Sequence, residues 1–131
     1  MQLVAPIDIE DALRIDLAAI DEDARYFAPP APDDLAANSV QIMSVGGAAQ
    51  TDVSNEHDVR VDCWAATDAQ AVALADKVAG IIATLPLRDT ARAYNTAEIN
   101  ALPYINPDPN RPTLPRASFR AVVGVRGTTI F

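Results

Sequence analysis

The residues best suited to chemistry are the only cysteine and the only histidine of the chain, Cys63 and His57. A cysteine and a histidine act as nucleophile and base when their side chains come within hydrogen-bond reach. Both lie in a segment of alternating apolar and polar residues, which predicts a strand and places them about 20 Å apart at ~3.3 Å per residue. Cys63 falls on the apolar face of that strand, so we interpret it as a core residue.

A metal site is the second chemical possibility, because Asp52, Glu56, His57 and Asp58 cluster where the same strand begins. Hard oxygen ligands of this kind bind Mg²⁺ and Ca²⁺. However, the spacing matches no EF-hand loop, and successive strand residues point to opposite faces. We therefore interpret the cluster as a solvated entry into the strand.

The sequence has no G-x-G-x-x-G or Walker loop for nucleotides, no G-x-S-x-G and no H-E-x-x-H. Its 18 acidic residues offer many acid–base pairs, and none can be selected without geometry. The sequence therefore predicts no catalytic residue, no metal ligand and no cofactor, and we expect that the protein is not an enzyme.

Charge is distributed unevenly along the 131 residues, which carry a net charge of −8. Residues 1–62 hold 13 acidic and 3 basic side chains, a net of −10, whereas residues 63–131 hold 5 acidic and 7 basic ones, a net of +2. An acidic chain is repelled by phosphate backbones, which disfavours direct gripping of nucleic acid. Halves of opposite charge can instead join copies of the chain head to tail. No apolar run approaches the ~20 residues of a membrane span.

The first predicted element is an amphipathic helix over residues 8–24. Asp8 occupies the N-cap position, and the apolar residues recur at spacings of three and four. The last turn would carry Asp21, Glu22 and Asp23, although the helix dipole disfavours carboxylates there. These acids indicate either an interface or a solvated, frayed helix end.

Four strands are also predicted. They cover residues 38–45, 57–65, 92–102 and 116–127. The first is expected to end at Gly46-Gly47 and to lead into a polar loop over 48–55. Trp64 falls on the polar side of the second strand, as an edge cap, a local packing residue or an interface contact.

A second helix is predicted over residues 67–85, because Thr67 and Gln70 form a capping box and Pro86 ends the pattern. Prolines make residues 28–34 a stiff connector and residues 103–115 an extended arm, since proline donates no ladder hydrogen bond.

The element order is therefore α-β-β-α-β-β. Two amphipathic helices and an about four-stranded mixed or antiparallel sheet predict a single α+β domain over residues 1–131. We expect a two-layer sandwich with a long proline-rich hairpin arm. The second strand, the second helix and the third strand would form a right-handed crossover if the strands are parallel.

Two stretches of the chain have a distinctive layout. One is a strand followed by a capped, alanine-rich helix, HDVRVDCWAATDAQAVALADKVAGIIATL. The other is a proline-rich arm that leads into a closing strand, ALPYINPDPNRPTLPRASFRAVVGVRG. Its characteristic tripeptides and dipeptide are Pro107-Asp108-Pro109, Pro115-Arg116 and Val125-Arg126-Gly127. Together, over about residues 8–127, they resemble the tail terminator family of long-tailed bacteriophages.

The resemblance implies a structural virion protein, made in the cytoplasm of a bacterial host. Tail terminators form a ring, usually a hexamer, at the head-proximal end of the tail. The ring stops polymerisation of the tail tube protein and docks a head-side connector or stopper protein, and genomic DNA passes through its pore without specific binding. The implied partners are thus other copies of the chain, the tube protein and the connector, with no membrane.

Three sets of residues are candidates for these contacts, although each charge can also be ordinary solvated surface. Acidic residues lining a pore would repel the phosphates of the passing DNA. A ring joins one surface of each subunit to a different surface of the next, so acidic and basic patches can meet. A preordered arm can contact a neighbour at low entropic cost. The pore or acidic interface candidates are Asp21, Glu22, Asp23, Asp33 and Asp34; the basic candidates are Arg116, Arg120 and Arg126; the arm candidates are Pro107, Asp108, Pro109 and Arg111.

Two other functions stay open. Another phage neck component, such as a head-completion or stopper protein, has a similar size and layout. A small cytoplasmic enzyme or ligand-binding α+β domain would need a concave pocket with convergent polar groups.

Overall fold

The computed structural model describes residues 4–5, 7–49, 54–90 and 92–129. In chain order, the elements are β1 (Val4–Ala5), α1 (Ile9–Ile20), β2 (Arg25–Phe27), β3 (Ser39–Ala49), β4 (Ser54–Trp64), α2 (Asp68–Ala83), a 3₁₀ turn (Leu85–Leu87), β5 (Tyr94–Ile105), β6 (Arg116–Arg126) and β7 (Thr128–Thr129). The main sheet has the order β2-β3-β4-β6-β5, and β1 pairs with β7 separately. The predicted α+β class is therefore confirmed.

The sheet is mixed. β2 pairs with β3 in parallel, and the other neighbours in the main sheet are antiparallel. Since β4 and β5 both run antiparallel to β6, they are parallel to each other, and α2 connects them as a crossover. The prediction of four strands was wrong because β2 has only three residues, too few to show a periodicity. Its strand conformation depends on pairing with residues 39–41 across the proline-containing connector.

Both helices lie on one face of the sheet and share its hydrophobic core. The predicted caps are present, since the Asp8 side chain accepts from the Asp11 N–H and Thr67 accepts from the Gln70 N–H. α1 ends at Ile20, earlier than predicted, so the three acids lie after its last turn, with Asp21 as the C-cap residue. Neither helix of the described residues is long and apolar enough to span a membrane.

The glycine pair in β3 does not end the strand. Gly46 and Gly47 adopt φ angles of 111° and 152° and form a bulge, after which β3 continues to Ala49. Glycines with a positive φ occur in β-bulges within strands as well as in turns that end them. The polar loop predicted over 48–55 was therefore wrong at both ends, and residues 50–53 lie outside the described residues.

Trp64 does lie on the sheet face opposite the helices, as its periodicity predicts, but it is only 2% exposed. The Phe27 ring stacks on it at 5.9 Å between centroids, and the Arg116 guanidinium lies 5.8 Å from its centroid. The indole Nε1 donates to Asp108 at 3.3 Å. This end of the second sheet face is therefore a small core of its own.

Candidate functional site

The proline-rich connection between β5 and β6, residues 106–115, is folded against its own sheet. Asp108 is 5% exposed and accepts hydrogen bonds from Trp64 Nε1, Arg111 Nη1 and the Asn110 N–H. Arg111 also donates to the Pro32 carbonyl oxygen. The prediction of an extended arm that reaches a neighbour is corrected accordingly: Asp108 and Arg111 are engaged within the chain, and Pro107 and Pro109 are the exposed members of the set.

Asp108 is held ionised by its surroundings. Burial alone would raise the pKa of its carboxyl group. The hydrogen bonds from Asn110, Trp64 and Arg111, together with the Arg116 charge, outweigh burial and lower the pKa below its ordinary value. The carboxylate therefore stabilises the folded connection and is not available to a partner.

Asp21 is likewise an internal anchor. It is 7% exposed, accepts from the Tyr26 hydroxyl at 2.8 Å and pairs with Lys77 Nζ at 3.1 Å. Burial raises the pKa of Asp21, but the bonds from Tyr26, Lys77 and the Asp23 backbone, with the Lys77 charge, lower it overall. Because this carboxylate joins the end of α1 to β2 and α2, we exclude it from the acidic surface candidates.

The other acidic candidates form a surface that we call the acidic edge: Glu22, Asp23 and Asp33. All three are exposed: Glu22 and Asp23 precede β2, the strand at one edge of the sheet, and Asp33 lies in the connector after it, next to Pro32, whose carbonyl oxygen accepts from Arg111. Their side chains form no ion pair with another described residue. Asp34 belongs to the same region but pairs with Arg25 at 3.3 Å.

The basic candidates lie near the other edge. Arg116 is engaged within the chain, because it donates to the carbonyl oxygens of Asn106 and Pro107 and covers Trp64. Arg120 and Arg126 are exposed, and their side chains pair with no other described residue. Both stand on β6, next to the opposite edge strand, β5.

Exposed apolar residues accompany both edges. On β5, Leu102 is 77% exposed, Tyr104 48% and Ile105 40%. Ile15 is 41% exposed on α1, the helix that packs over β2 and β3. The predicted strand ended at residue 102 and included Leu102, whereas Tyr104 and Ile105 were placed in the predicted arm. The alternation of Leu102 and Tyr104 was the signal that could have extended the strand.

β5 is an irregular edge strand. Its pairing with β6 shifts register between Tyr94 and Thr96, between Ile99 and Ala101, and between Ala101 and Tyr104. Bulges and the proline at 103 discourage further strand addition at an edge. Contacts at this edge would therefore be made by side chains, with no continuous backbone ladder.

A cleft of about 480 Å³ lies between the start of α1 and the β3–β4 hairpin. Its lining includes Ile7, Ile9, Glu10, Glu56 and His57. His57 is 8% exposed, and no described residue pairs with its Nε2 atom. Burial lowers the pKa of this imidazole, which favours the neutral form.

The remaining chemical candidates are separated or buried. Burial raises the pKa of the Cys63 thiol, and Cys63 packs in the core on the same strand as His57, six positions away. Within the described ranges, no three histidine, cysteine, aspartate or glutamate side chains are grouped to hold a metal ion. Asp52, which the sequence analysis considered, lies outside those ranges.

No model of a protein family matches the chain, and no curated protein matches it in sequence.

Proposed function

We propose that the protein is a structural subunit of the tail terminator type. In this proposal, copies of the chain form a ring that stops growth of a phage tail tube and docks the head-side connector. The resemblance implies six copies in the ring. The observation that carries it is the position of two unlike surfaces at opposite edges of one sheet. A closed ring of identical subunits requires two such surfaces, one meeting the other on the next copy.

The two edges differ in charge. The acidic edge lies next to β2, whereas Arg120 and Arg126, which pair with no other described residue, stand on β6 beside β5, and β5 itself carries the exposed Glu98. Opposite charges steer subunits into register and disfavour contacts between like edges. Head-to-tail addition is therefore favoured over a two-fold dimer.

Apolar contact area is present at both edges as well. Leu102 and Tyr104 at β5 and Ile15 at α1 are too exposed to contribute fully to the core of a single chain. The centre of a stable interface is apolar and its rim is polar. Burial of these side chains between subunits would supply that centre, with the charges around it.

Tube assembly tests the proposed function. Self-polymerising tube subunits are incubated with increasing amounts of the protein, and tube lengths are measured by electron microscopy. A terminator caps the tubes and shortens them, whereas a head-completion or stopper protein leaves their length unchanged. Native mass spectrometry measures assembly in parallel, as multiples of the 13.9 kDa chain mass.

Ligand binding is a second candidate function, favoured by the cleft beside His57 and by its buried Nε2 atom, which pairs with no described residue. A buried ring nitrogen without a hydrogen-bond partner costs free energy that a polar group of a bound ligand would recover. This function predicts a protein that stays monomeric, does not cap tubes, and shows ligand-dependent shifts of the His57 ring resonances in NMR spectra.

A further inference from the structure

Two arginines stand directly opposite each other on the sheet face that the helices leave uncovered. Arg60 on β4 is the register partner of Arg120 on β6. Register partners in an antiparallel pair point to the same face, with Cβ atoms about 4.5–5.5 Å apart, and like charges in this position destabilise the pair. The same cross-strand row continues to Met43 on one side and Ala101 on the other, neither of which carries a compensating charge.

Only one of these guanidinium groups is neutralised within the chain. Arg60 Nε donates to Asp62 Oδ1 at 2.9 Å. That carboxylate is 1% exposed and also accepts from Ser118 and Gln41, so its oxygens are already used. Arg120 is exposed and pairs with no other described residue.

The acids in the neighbouring cross-strand rows do not contact Arg120 directly. Asp58 and Glu98 lie in the next cross-strand row, both in register with Val122. Neither forms an ion pair with Arg120 in the part of the chain that the structure describes. In the described part of the chain, the Arg120 guanidinium therefore has no direct ion-pair partner beside the β5 edge, with Asp58 and Glu98 at diagonal positions on the same face.

We propose that the Arg60–Arg120 row binds the acidic edge of a second copy of this chain, with carboxylates of Glu22, Asp23 and Asp33 as ligands. This inference rests on the proposed ring and names the contact that closes it. Guanidinium groups bind carboxylates through two parallel hydrogen bonds. The acidic edge supplies exposed carboxylates that form no ion pair with another described residue, and within one chain β3 and β4 separate β2 from β6.

The contact is directional, which makes it testable by charge reversal. Arg120→Glu places an acid opposite the neighbour's acidic edge, and we expect subunit association about tenfold weaker in sedimentation velocity at low salt. The combined variant Glu22→Lys, Asp23→Lys, Asp33→Lys weakens association similarly. Arg88→Glu is the matched control, since it makes the same charge change at an exposed position directly after the 3₁₀ turn, and association stays unchanged.

Mixing the two defective variants gives the decisive result. In the mixture, the glutamate of an Arg120→Glu subunit faces the lysines of a lysine-variant subunit. The Arg120 side chain of the lysine variant faces the unaltered acidic edge of an Arg120→Glu subunit. Both contacts are attractive, so an equimolar mixture regains association close to that of the unaltered chain. Arg120→Gln removes the charge without adding repulsion and gives a smaller loss. Unfolding midpoints of all variants separate misfolding from a lost contact.

The outcomes distinguish this inference from the proposed function. If the unaltered chain caps tubes but Arg120→Glu caps equally well, or if the mixture does not recover, the Arg60–Arg120 contact with the acidic edge is refuted and the terminator function stands. If the unaltered chain neither associates nor caps tubes, both are refuted.

Discussion

Trp64 and Asp108 lie 44 positions apart in the sequence and meet through one hydrogen bond, at 3.3 Å between Nε1 and Oδ2. The contact explains how a tryptophan on a polar strand face becomes buried. The connection between β5 and β6 covers the indole, and the buried carboxylate satisfies its N–H group. Arg116 and Phe27 close the remaining sides of the ring.

We expect Asp108→Asn to lower the free energy of unfolding at pH 7 by about 1–3 kcal/mol, because an amide accepts the Trp64, Arg111 and Asn110 donors less well than a carboxylate. The pKa of Asp108 is lowered in the folded chain. Its stabilisation is therefore fully present above the ordinary aspartate pKa of about 3.9 and is lost as the pH falls through the lower folded value.

Urea unfolding followed by the fluorescence of Trp64, the only tryptophan, measures both effects. The difference between the unaltered chain and Asp108→Asn shrinks as the pH is taken below ~4. Asp89→Asn, at an exposed position, is the control and changes stability little at either pH. An equal loss for Asp108→Asn at pH 7 and at pH 3 would contradict this account.

The bulge of β3 sets the geometry of its hairpin with β4. A Cβ atom at Gly47 would lie 2.1 Å from the Glu56 carbonyl oxygen, whereas one at Gly46 would meet nothing within 4 Å. Both residues have a positive φ, so alanine strains the backbone at either position. Only at Gly47 must the neighbouring strand also move.

Gly46→Ala should therefore destabilise the chain by about 1–3 kcal/mol, the usual range for backbone strain, and Gly47→Ala by clearly more. Thermal and urea unfolding of the two variants measures the difference. Both variants introduce alanine at a position with positive φ. The difference between their losses of unfolding free energy therefore measures the cost of the close contact between Gly47 and β4. Equal losses of stability would show that β4 moves away from an alanine at position 47 without a free-energy cost.

The elements that could be predicted from the sequence are those stabilised by contacts between residues close together in the chain. Thr67 and Asp8 cap their helices through contacts three positions away, so a short window of sequence contained the information. β2 depends on a strand beyond a proline-containing connector, and the course of residues 106–115 depends on Trp64. Such distant contacts are not visible in periodicity.

The candidate surface residues show the same limit. Asp21 and Glu22 are adjacent and chemically similar, yet Asp21 is buried against Tyr26 and Lys77 while Glu22 is exposed. The count of charged residues shows that the two halves of the chain differ in net charge. It could not separate carboxylates that hold the fold from those left for a partner, because that separation is made by tertiary neighbours.

At the scale of the whole molecule, head-to-tail assembly requires both sides of each subunit. Replacement of Leu102 and Tyr104 by serine should weaken association, by about 1.5–3 kcal/mol per fully buried large side chain. Ile15→Ser removes apolar area from the opposite side and should weaken it as well. A mixture of the two variants keeps one intact interface per pair, so native mass spectrometry should detect dimers and no closed ring. Full rings from that mixture would contradict a two-sided contact.

The dependence of assembly on salt separates the charged from the apolar contribution. At 0.15 M ionic strength the Debye length is about 8 Å, and exposed charges are screened increasingly above it. If the acidic edge and the arginines of β6 drive association, the association constant measured by sedimentation falls as salt rises from 0.15 M to 1 M. The Arg120→Glu chain should lose or reverse this dependence, because salt screens the repulsion between the introduced glutamate and the acidic edge, whereas the Leu102 and Tyr104 variant should keep it. Association that is unchanged or stronger at 1 M would mean that apolar contacts dominate and that the charge asymmetry does not direct assembly.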